Sequence, residues 1–479
     1  MDRMQGSQQL LVASPPDAPT RVPGSSSVAP KVPADGLGVR GLRLALLSLP
    51  ISTASSELIN EIRHLEDLKS AISARQARAA VALDLAQRSE QTHAGVPAGK
   101  ADAGVAAQVA LARRESPSKG SRFFGLAKTL VMEMPRTMAA LESGQLNEWR
   151  ATLLVKETAC LSVEDRAEVD EELAPDSGTF DGAGDKALIA AAKAAAYRRD
   201  PRSVAQRASH AATERTVSLR PAPDTMTYLT ALLPVAQGVA VYAALTRTAD
   251  SLRSSGDPRT RGQVMADTLI ERVTGTPGGV SGVNLNLVMT DRTLFQGDSE
   301  PARLEGYGIV PSEWARALLV GEQRGSDMQG GSEGQCSSED PRHLCQELTD
   351  RSQFAVLLRR LYTAPGSGEL LTMDSKARFF PQQLRRFIRI RDHTCRTPYC
   401  DAPIRHIDHV IPWHSEGSTN LQNGAGLCEA CNHTKETPGW SAKSMPGDMH
   451  TIRVSTPTGH SYKSKAPPLP GHESTRLRN

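Results

Sequence analysis

The sequence predicts a mainly α-helical N-terminal domain followed by a small, separate C-terminal module. Of its 479 residues, 39% are apolar but only 4% are aromatic. A core must therefore rest on Ala, Leu, Val and Ile, which suits closely packed helices. Apolar residues recur every three or four positions after residue 42, which is the spacing of one helical face. A Gly- and Ser-rich stretch after Glu322 lacks that spacing and separates the two parts.

The first predicted elements are a disordered segment and a long helix. Residues 1–38 are rich in Pro, Ser, Gly and Ala, so they cannot offset the entropy of ordering and are expected to be disordered. A polar interruption is expected at about residues 91 to 102, and Gly144 is expected to stop a helix beyond it. The long helix lies before the interruption, where five apolar residues share a face: Leu58, Ile62, Leu65, Leu68 and Ile72.

Three later stretches complete the N-terminal domain, which we place at residues 39–321. An Ala-rich stretch from Asp185 predicts helix and carries several arginines, for which a solvated face is expected. The stretch "MTYLTALLPVAQGVAVYAALTRTADSLRSS" predicts two further helices, whereas "VNLNLVMTDRTLFQG" alternates like a strand. The sequence has no repeat of fixed period, which argues against a solenoid.

The rest of the chain divides into four segments. Residues 322–345 predict a flexible linker, and residues 346–371 a connecting segment. Residues 372–440 contain several closely spaced sequence motifs and predict the second module. Residues 441–479, rich in Pro, Lys and Ser, predict a loose tail.

Charge and hydropathy argue against a membrane protein and leave nucleic-acid binding to local features. The formal net charge is +3, from 56 Lys and Arg against 53 Asp and Glu, and this is too small to indicate a nucleic-acid partner by itself. No run approaches the roughly 18 consecutive apolar residues of a membrane span. The first residues also lack the apolar region of a secretory signal, so the predicted compartment is the cytoplasm.

Four of the seven cysteines form two closely spaced pairs. Four residues separate Cys395 from Cys400, and two separate Cys428 from Cys431. Such spacings let two short turns meet around one tetrahedral ion. Four thiolates suit zinc and leave no position for a substrate, so a structural Zn²⁺ is predicted. Two disulfides or unrelated thiols are the alternative, which a reducing compartment disfavours.

The insert between the two cysteine pairs contains groups suited to a second, catalytic ion. If zinc joins the two pairs, Asp408 and His409 lie beside Asn432. A carboxylate and an amide carbonyl are ligands for Mg²⁺ or Mn²⁺. The neutral imidazole of His409 could take a proton from an attacking water.

Strand geometry leaves a rival arrangement open. In a regular strand Asp408 and His409 face opposite sides, whereas His406 and Asp408 share a face. The strand must therefore bend or end at His409 for the pair to act together. The shared face supports the rival, a three-ligand zinc site formed by His406, Asp408 and His433. His414 matches no role in either arrangement.

The stretch "IDHVIPWHSEGSTNLQNGAGLCEACNHTK" resembles the HNH endonuclease motif in its D-H variant, framed by a four-cysteine zinc ribbon. The resemblance implies a small α+β module of the ββα-metal type that holds one catalytic divalent ion. By position, it implies His409 as the general base and Asn423 as the residue that braces the loop bearing the base. It also implies Asp408 and Asn432 as metal ligands, with His433 as the fallback. Small residues follow Asn423 where apolar ones are usual.

A basic stretch before the cysteines, "KARFFPQQLRRFIRIRDHTCR", predicts a helix that contacts the phosphates of DNA. Leu384, Phe387 and Ile388 form its buried side and leave arginines outward. Arginines in this arrangement favour contact with phosphates, and a merely solvated basic face is the alternative. The residues predicted to contact DNA are Arg385, Arg386, Arg389, Arg391 and Lys435.

The N-terminal domain also resembles a known protein family. The stretches "AAAYRRDPRSVAQRASHAATERTVSLRPAPDTMTYLTALLPVAQGVAVYAAL" and "GDPRTRGQVMADTLIERV" are similar to the helical domain of unknown function 222, which often precedes HNH modules in bacterial proteins. The resemblance covers roughly residues 40 to 320. It supports the architecture and implies no activity.

These features together predict a metal-dependent endonuclease that hydrolyses DNA. A non-catalytic zinc-ribbon regulator that binds DNA is the alternative. The presence of Asp408, His409, Asn423 and Asn432 together favours the enzyme, because a binding module needs only the zinc frame. No organic cofactor and no membrane partner are expected. The sequence leaves open the oligomeric state, the target sequence and the choice between DNA and RNA.

Overall fold

The computed structural model describes residues 38–95, 104–275, 285–320, 379–447 and 449–470. The chain divides into two compact units, Met1–Leu65 and Glu66–Asn479. The predicted disordered segment up to residue 37, the linker and the connecting segment lie outside the described residues. Among the described helices, none has the length and apolar character needed to span a membrane.

Helices dominate the described residues before position 215, as the sequence predicts. The predicted long helix is present, and Gly144, with a φ of 86°, ends a helix as expected. The helices are α1 (Val39–Leu47), α2 (Ser55–His93), α3 (Val105–Arg113), α4 (Pro117–Met132), α5 (Pro135–Ser143), α6 (Glu148–Glu157), α7 (Val163–Leu173), α8 (Asp185–Arg199) and α9 (Pro201–Ala211).

Two apolar cores lie among helices α2 to α8. In the first, α2 buries Ala74, Ala77 and Ala80 against side chains of α3 to α6 that include Phe124 and Leu130. The second joins α6, α7 and α8. Alanine contacts let helix axes approach closely, which explains a core with few aromatic residues. The apolar side chains at the start of α2 are not buried in this core: Ile62, for example, is 63% exposed.

The region from 216 to 320 corrects two predictions. The stretch predicted as two helices forms a strand and one helix, because Leu233 and Pro234 interrupt it and the Thr and Tyr residues before them suit a strand. In the described part of the stretch predicted as a strand, from residue 285, two residues form a strand before Thr290 caps a short helix. The elements are β1 (Thr216–Pro221), β2 (Thr227–Leu232), α10 (Val235–Ser254), α11 (Arg261–Thr274), β3 (Leu287–Val288), α12 (Asp291–Phe295), β4 (Ala302–Leu304), β5 (Gly308–Val310) and α13 (Ser312–Val320).

The C-terminal module combines two helices with two small antiparallel sheets, which confirms the predicted α+β class. One sheet pairs β6 with β7, and the other has the order β10-β9-β8. The buried guanidinium of Arg303 in β4 donates a hydrogen bond to the Ile390 carbonyl of this module. The elements are α14 (Gln382–Asp392), β6 (His406–His409), β7 (Gly424–Leu427), α15 (Glu429–Thr434), β8 (Ser441–Met445), β9 (Thr451–Ser455) and β10 (Ser461–Lys465).

The prediction of a loose tail from residue 441 is wrong for the residues that form β8, β9 and β10. Ile452 is 3% exposed and packs, with Val454 and Ala442, against the core that contains the paired cysteines. Apolar residues alternate with polar ones along β9, so one face of the sheet is buried. The many Lys and Ser residues of this segment hid that alternation.

The contact between α3 and α4 is tight enough to test by substitution. A Cβ atom at Gly120 would lie 2.3 Å from Ala110 Cβ and 2.8 Å from the Ala106 carbonyl oxygen. We therefore expect Gly120→Ala to lower the free energy of unfolding by roughly 1–3 kcal/mol, as overpacking does. Urea denaturation followed by circular dichroism measures the change.

Gly125 in the same helix is the matched control, because no atom lies within 4 Å of a Cβ at that position. Gly125→Ala is expected to raise stability by about 0.5–1 kcal/mol through helix propensity. Equal effects of the two substitutions would contradict the tight contact.

Candidate metal centre

Four cysteine sulfur atoms meet at one end of the C-terminal module. Cys395 and Cys400 lie in the loop after α14, Cys428 caps the N-terminus of α15, and Cys431 lies within that helix. Their sulfur atoms are all within 4.8 Å of one another. The four cysteines are therefore clustered as for a zinc site.

Electrostatics of the thiols also favours a cation at this cluster. Hydrogen bonds from Cys400 and Cys431 lower the pKa of the Cys395 thiol. Hydrogen bonding to Cys395 in turn raises the pKa values of Cys400 and Cys431, with burial adding to both. Ionisation of Cys395 therefore opposes ionisation of the other two thiols, and a divalent ion would let all four ionise together.

The cluster brings together the two ends of the insert that carries the candidate catalytic residues. His406 pairs with Leu427, and His409 pairs with Gly424, along the β6–β7 ladder. The next residue after β7 is Cys428, and α15 packs against β6. The strand β6 ends at His409, as the geometry of the Asp408–His409 pair requires.

His409 is held in a buried position at the end of β6. It is 5% exposed, and its ring lies 4.5 Å from the ring of Phe380. Its Nε2 atom is 2.8 Å from Thr419 Oγ1, and its Nδ1 atom is 3.6 Å from Asp408 Oδ1. One ring nitrogen thus lies against a hydroxyl, and the other faces the carboxylate.

Thr419 was not singled out from the sequence. It lies in the loop between β6 and β7 and is 1% exposed. A single threonine in a polar loop carries no sequence signal of its own. Its contact with His409 depends on how residues 410–423 fold back toward β6.

Asn423 braces that returning loop. Its Nδ2 atom donates to the carbonyls of Ile411, at 3.1 Å, and Ser418, at 2.8 Å, while its Oδ1 atom accepts from the Ile411 amide. Gly417 lies in the same loop, where a Cβ atom would be 1.8 Å from the Ile411 carbonyl oxygen. The loop therefore permits little movement behind His409.

Close packing explains why small residues follow Asn423. A Cβ at Gly424 would lie 2.5 Å from Ile388 Cδ1, and one at Gly426 would lie 2.4 Å from Ile404 Cδ1. The backbone of β7 is pressed against α14 and the preceding loop. Apolar side chains at these two positions would displace both.

Asp408 is a half-buried carboxylate with a charged neighbour. Its Oδ2 atom is 3.0 Å from Lys435 Nζ, and its Oδ1 atom accepts from the His409 amide. Burial alone would raise the pKa of Asp408, but the charge and hydrogen bond of Lys435 outweigh it, so the pKa lies below its usual value. The carboxylate is therefore ionised at neutral pH.

The structure corrects the role predicted for Lys435. Its side chain is only 14% exposed, pairs with Asp408 and Glu436, and donates to the His409 carbonyl at 2.8 Å. These contacts leave it poorly placed to bind DNA. It is a charge partner of the candidate site.

Asn432 lies on α15 with an unsatisfied acceptor. Its Oδ1 atom is buried and has no hydrogen-bond partner in the described structure. A buried carbonyl oxygen without a partner costs free energy unless a cation or another donor meets it. Asn432 and Asp408 thus fit the hard-ligand chemistry of a divalent ion.

The rival three-ligand zinc site does not form. His406 and His433 are both exposed. Among the described residues, the four cysteines are the group of His, Cys, Asp or Glu close enough together to hold a metal ion. His414 is also exposed.

The basic residues of α14 divide into exposed and buried sets. Arg385, Arg386 and Arg389 are exposed on one side of the helix. Arg391 is 6% exposed, pairs with the buried Asp392, and donates to the carbonyls of Leu421 and Gly424 at 2.7 Å each. The prediction that Arg391 contacts DNA is therefore wrong, because its guanidinium is used inside the module. Lys376 and Arg378 lie outside the described residues.

Comparison with known proteins supports this architecture. A family model described as "Domain of unknown function (DUF222)" matches residues 63–299, and one described as "HNH endonuclease" matches residues 395–437. Both predicted resemblances are confirmed. No solved structure matches the chain.

Two curated relatives from Mycobacterium tuberculosis match a short stretch. The uncharacterized protein Rv3776 is 39% identical over 84 residues, which is 17% of this chain and 15% of that protein. The uncharacterized protein Rv2100 is 37% identical over 84 residues, which is 17% of this chain and 14% of that protein. The match thus covers only a small part of either relative.

The cysteine cluster leads to a test by substitution. We expect Cys428→Ser to release the bound ion and to unfold the C-terminal module, because metal binding supplies on the order of 10 kcal/mol of folding free energy in small zinc modules. Metal analysis by mass spectrometry and thermal denaturation measure both effects. Cys160→Ser is the control, since Cys160 is half-buried and lies outside the cluster. A Cys428→Ser protein that keeps its metal and its melting temperature would refute the structural role of the metal at the four cysteines.

Proposed function

We propose that this chain, which joins a DUF222 region to an HNH region, is a metal-dependent endonuclease that hydrolyses DNA phosphodiester bonds. The observation that carries the proposal is the pairing of Asp408 and His409 at the end of β6, beside the helix that bears Asn432 with its unsatisfied oxygen. The HNH match supports a nuclease in general. We further propose Zn²⁺ as the ion at the four cysteines, and the cytoplasm, where thiols stay reduced, as the compartment.

The proposed catalytic ion is Mg²⁺ or Mn²⁺, held by Asp408 and Asn432. Bound there, it would supply Lewis-acid stabilisation of the charge that develops on the phosphoryl oxygens. The ionised state of Asp408 suits this role. His433, the fallback ligand, is exposed and lies one position further along α15.

His409 is proposed as the general base that takes the proton from water. If its Nε2–H donates to Thr419 Oγ1, the basic lone pair belongs to Nδ1, which faces Asp408. Phe380 packs on the ring, and Asn423 holds the loop that returns behind it. The ring is thereby oriented before substrate arrives, which lowers the cost of reaching the transition state.

The proposed DNA contacts are the exposed arginines of α14: Arg385, Arg386 and Arg389. Exposed guanidinium groups bind phosphates without reading base sequence. Their attraction to DNA is expected to weaken as salt concentration rises.

A non-catalytic DNA-binding regulator is the second candidate function. The ion pair between Lys435 and Asp408 favours it, because Lys435 Nζ, at 3.0 Å, would compete with a metal ion for the carboxylate. Cleavage of supercoiled plasmid by the purified protein distinguishes the two candidates.

We expect purified protein to convert supercoiled plasmid to nicked or linear DNA in the presence of Mg²⁺ or Mn²⁺. His409→Ala should lower the rate at least 100-fold, since general acid–base catalysis contributes about 10²–10⁴-fold. Gel electrophoresis over a time course measures the rates.

His414→Ala is the matched control, because His414 is exposed in the loop that follows the same strand and should leave the rate unchanged. Absence of metal-dependent cutting by the wild type, with retained DNA binding, would favour the regulator. Equal cutting by His409→Ala would refute the proposed base.

Thr419 gives a sharper test of how the base is oriented. Thr419→Val keeps the size of the side chain but removes the hydroxyl at 2.8 Å from His409 Nε2. We expect kcat to fall about 10- to 100-fold, as it does when a group that orients a functional histidine is lost, with KM nearly unchanged. Thr419→Ser should restore most of the rate, and nitrogen chemical shifts of His409 should report the change of tautomer. Unchanged kcat and unchanged shifts in Thr419→Val would remove Thr419 from the mechanism.

A further inference from the structure

The ammonium group of Lys435 lies against the residues proposed to hold the catalytic ion and to act as the base. Its Nζ atom is 3.0 Å from Asp408 Oδ2, donates to the His409 carbonyl at 2.8 Å, and is 3.0 Å from Glu436 Oε1. The Lys435 side chain is only 14% exposed. A charge withdrawn from water in this way is stabilised by its partners in the protein. The ammonium is therefore a fixed positive charge of the candidate site.

Lys435 and Asn432 share one side of the same helix end. Lys435 follows Asn432 by three residues and has helical backbone angles at the end of α15. This helix packs against β6, the strand that ends with Asp408 and His409. That side of α15 therefore carries both the ammonium that pairs with Asp408 and the buried amide oxygen proposed to bind the ion.

Both carboxylate oxygens of Asp408 already have partners within the chain. Oδ2 faces Lys435, and Oδ1 accepts a hydrogen bond from the His409 amide at 2.8 Å. A divalent ion that joins Asp408 to Asn432 must therefore compete with these donors. The ammonium opposes the ion most strongly, because two positive charges a few Å apart repel each other.

Lys435 keeps other acceptors when it leaves Asp408. The His409 carbonyl and the Glu436 carboxylate both contact Nζ. The Glu436 side chain is 46% exposed, so it has room to follow the ammonium. Giving up one of these contacts costs less than leaving a withdrawn ammonium unpaired. The arrangement therefore lets a stronger cation displace Lys435 from the carboxylate.

We propose that Lys435 is a built-in counter-ion that occupies Asp408 until the catalytic ion binds, and that it sets the concentration of Mg²⁺ or Mn²⁺ at which the site fills. This inference rests on the proposed function, because it concerns the same ion site. The ion binds the fraction of molecules in which the ammonium has released the carboxylate, so its apparent affinity is reduced by that fraction. The ion pair that favours a regulator is then equally compatible with a nuclease whose site fills only at higher metal concentration.

Binding of Mn²⁺ to the full-length, zinc-loaded chain without DNA tests the proposal. Isothermal titration calorimetry measures it at about pH 7.5, where carboxylates are ionised. Lys435→Met keeps the length of the side chain and removes its charge. We expect the dissociation constant for Mn²⁺ to fall about 10- to 100-fold, the range over which groups that contact metal ligands alter affinity. Asp408→Ala should abolish this binding, with or without Lys435→Met, which assigns it to the proposed site.

Lys443→Met is the matched control. Lys443 is exposed on β8, outside the site, and its substitution removes the same charge. The dissociation constant should stay at the wild-type value. Circular dichroism and zinc content should be unchanged in both lysine variants.

Glu436→Gln tests the release of the ammonium by a second route, at a position exposed enough to be substituted without unfolding the module. Without the Glu436 carboxylate, Lys435 is held more firmly on Asp408, so Mn²⁺ binding should weaken. Glu429→Gln is the control, because Glu429 is exposed at the start of α15 and its substitution removes the same charge. Its effect on binding should be smaller.

The outcomes separate this proposal from the proposed function. Equal or weaker Mn²⁺ binding by Lys435→Met than by the wild type would overturn the role of Lys435 and leave the ion site in place. Equal effects of Glu436→Gln and Glu429→Gln would also overturn it. If neither the wild type nor Lys435→Met shows binding that depends on Asp408, the proposed ion site and the role of Lys435 both fail.

Discussion

The C-terminal module depends on the crowding of four cysteine sulfur atoms within 4.8 Å. Four thiols this close repel one another when they ionise, and a divalent cation between them would offset that repulsion. Because Cys400 precedes the insert and Cys428 follows it, the same contact closes a long loop and aligns β6 with β7. It also fixes the start of α15, which brings Asn432 toward the strand that ends at His409. An ion held by the four cysteines would therefore also fix the positions of Asp408 and Asn432, the residues proposed to hold the second ion.

A buried ion network provides a second constraint that needs no metal. Asp392 is 1% exposed, pairs with Arg391 and Arg396, and accepts a hydrogen bond from the Gly426 amide at 2.7 Å. Arg396 also donates to the carbonyls of His450 and Ser464, which ties β6–β7 to the second sheet. Removing one partner from such a buried network leaves an uncompensated charge, so its members are held together. This explains why Arg391 of α14 stabilises the module, whereas Arg385, Arg386 and Arg389 of the same helix face solvent.

The sequence predicts parts of this structure that follow from spacing and misses parts that follow from tertiary contact. Paired cysteines, the long α2 and the helix stop at Gly144 are local patterns, and they were predicted correctly. The burial of Arg391 was not predictable, because it depends on Asp392 and on carbonyls about 30 residues away. Thr419 was missed for the same reason, since its contact with His409 exists only after the loop folds back. The three terminal strands were hidden because short polar strands resemble a tail until Ile452 has a core to pack against.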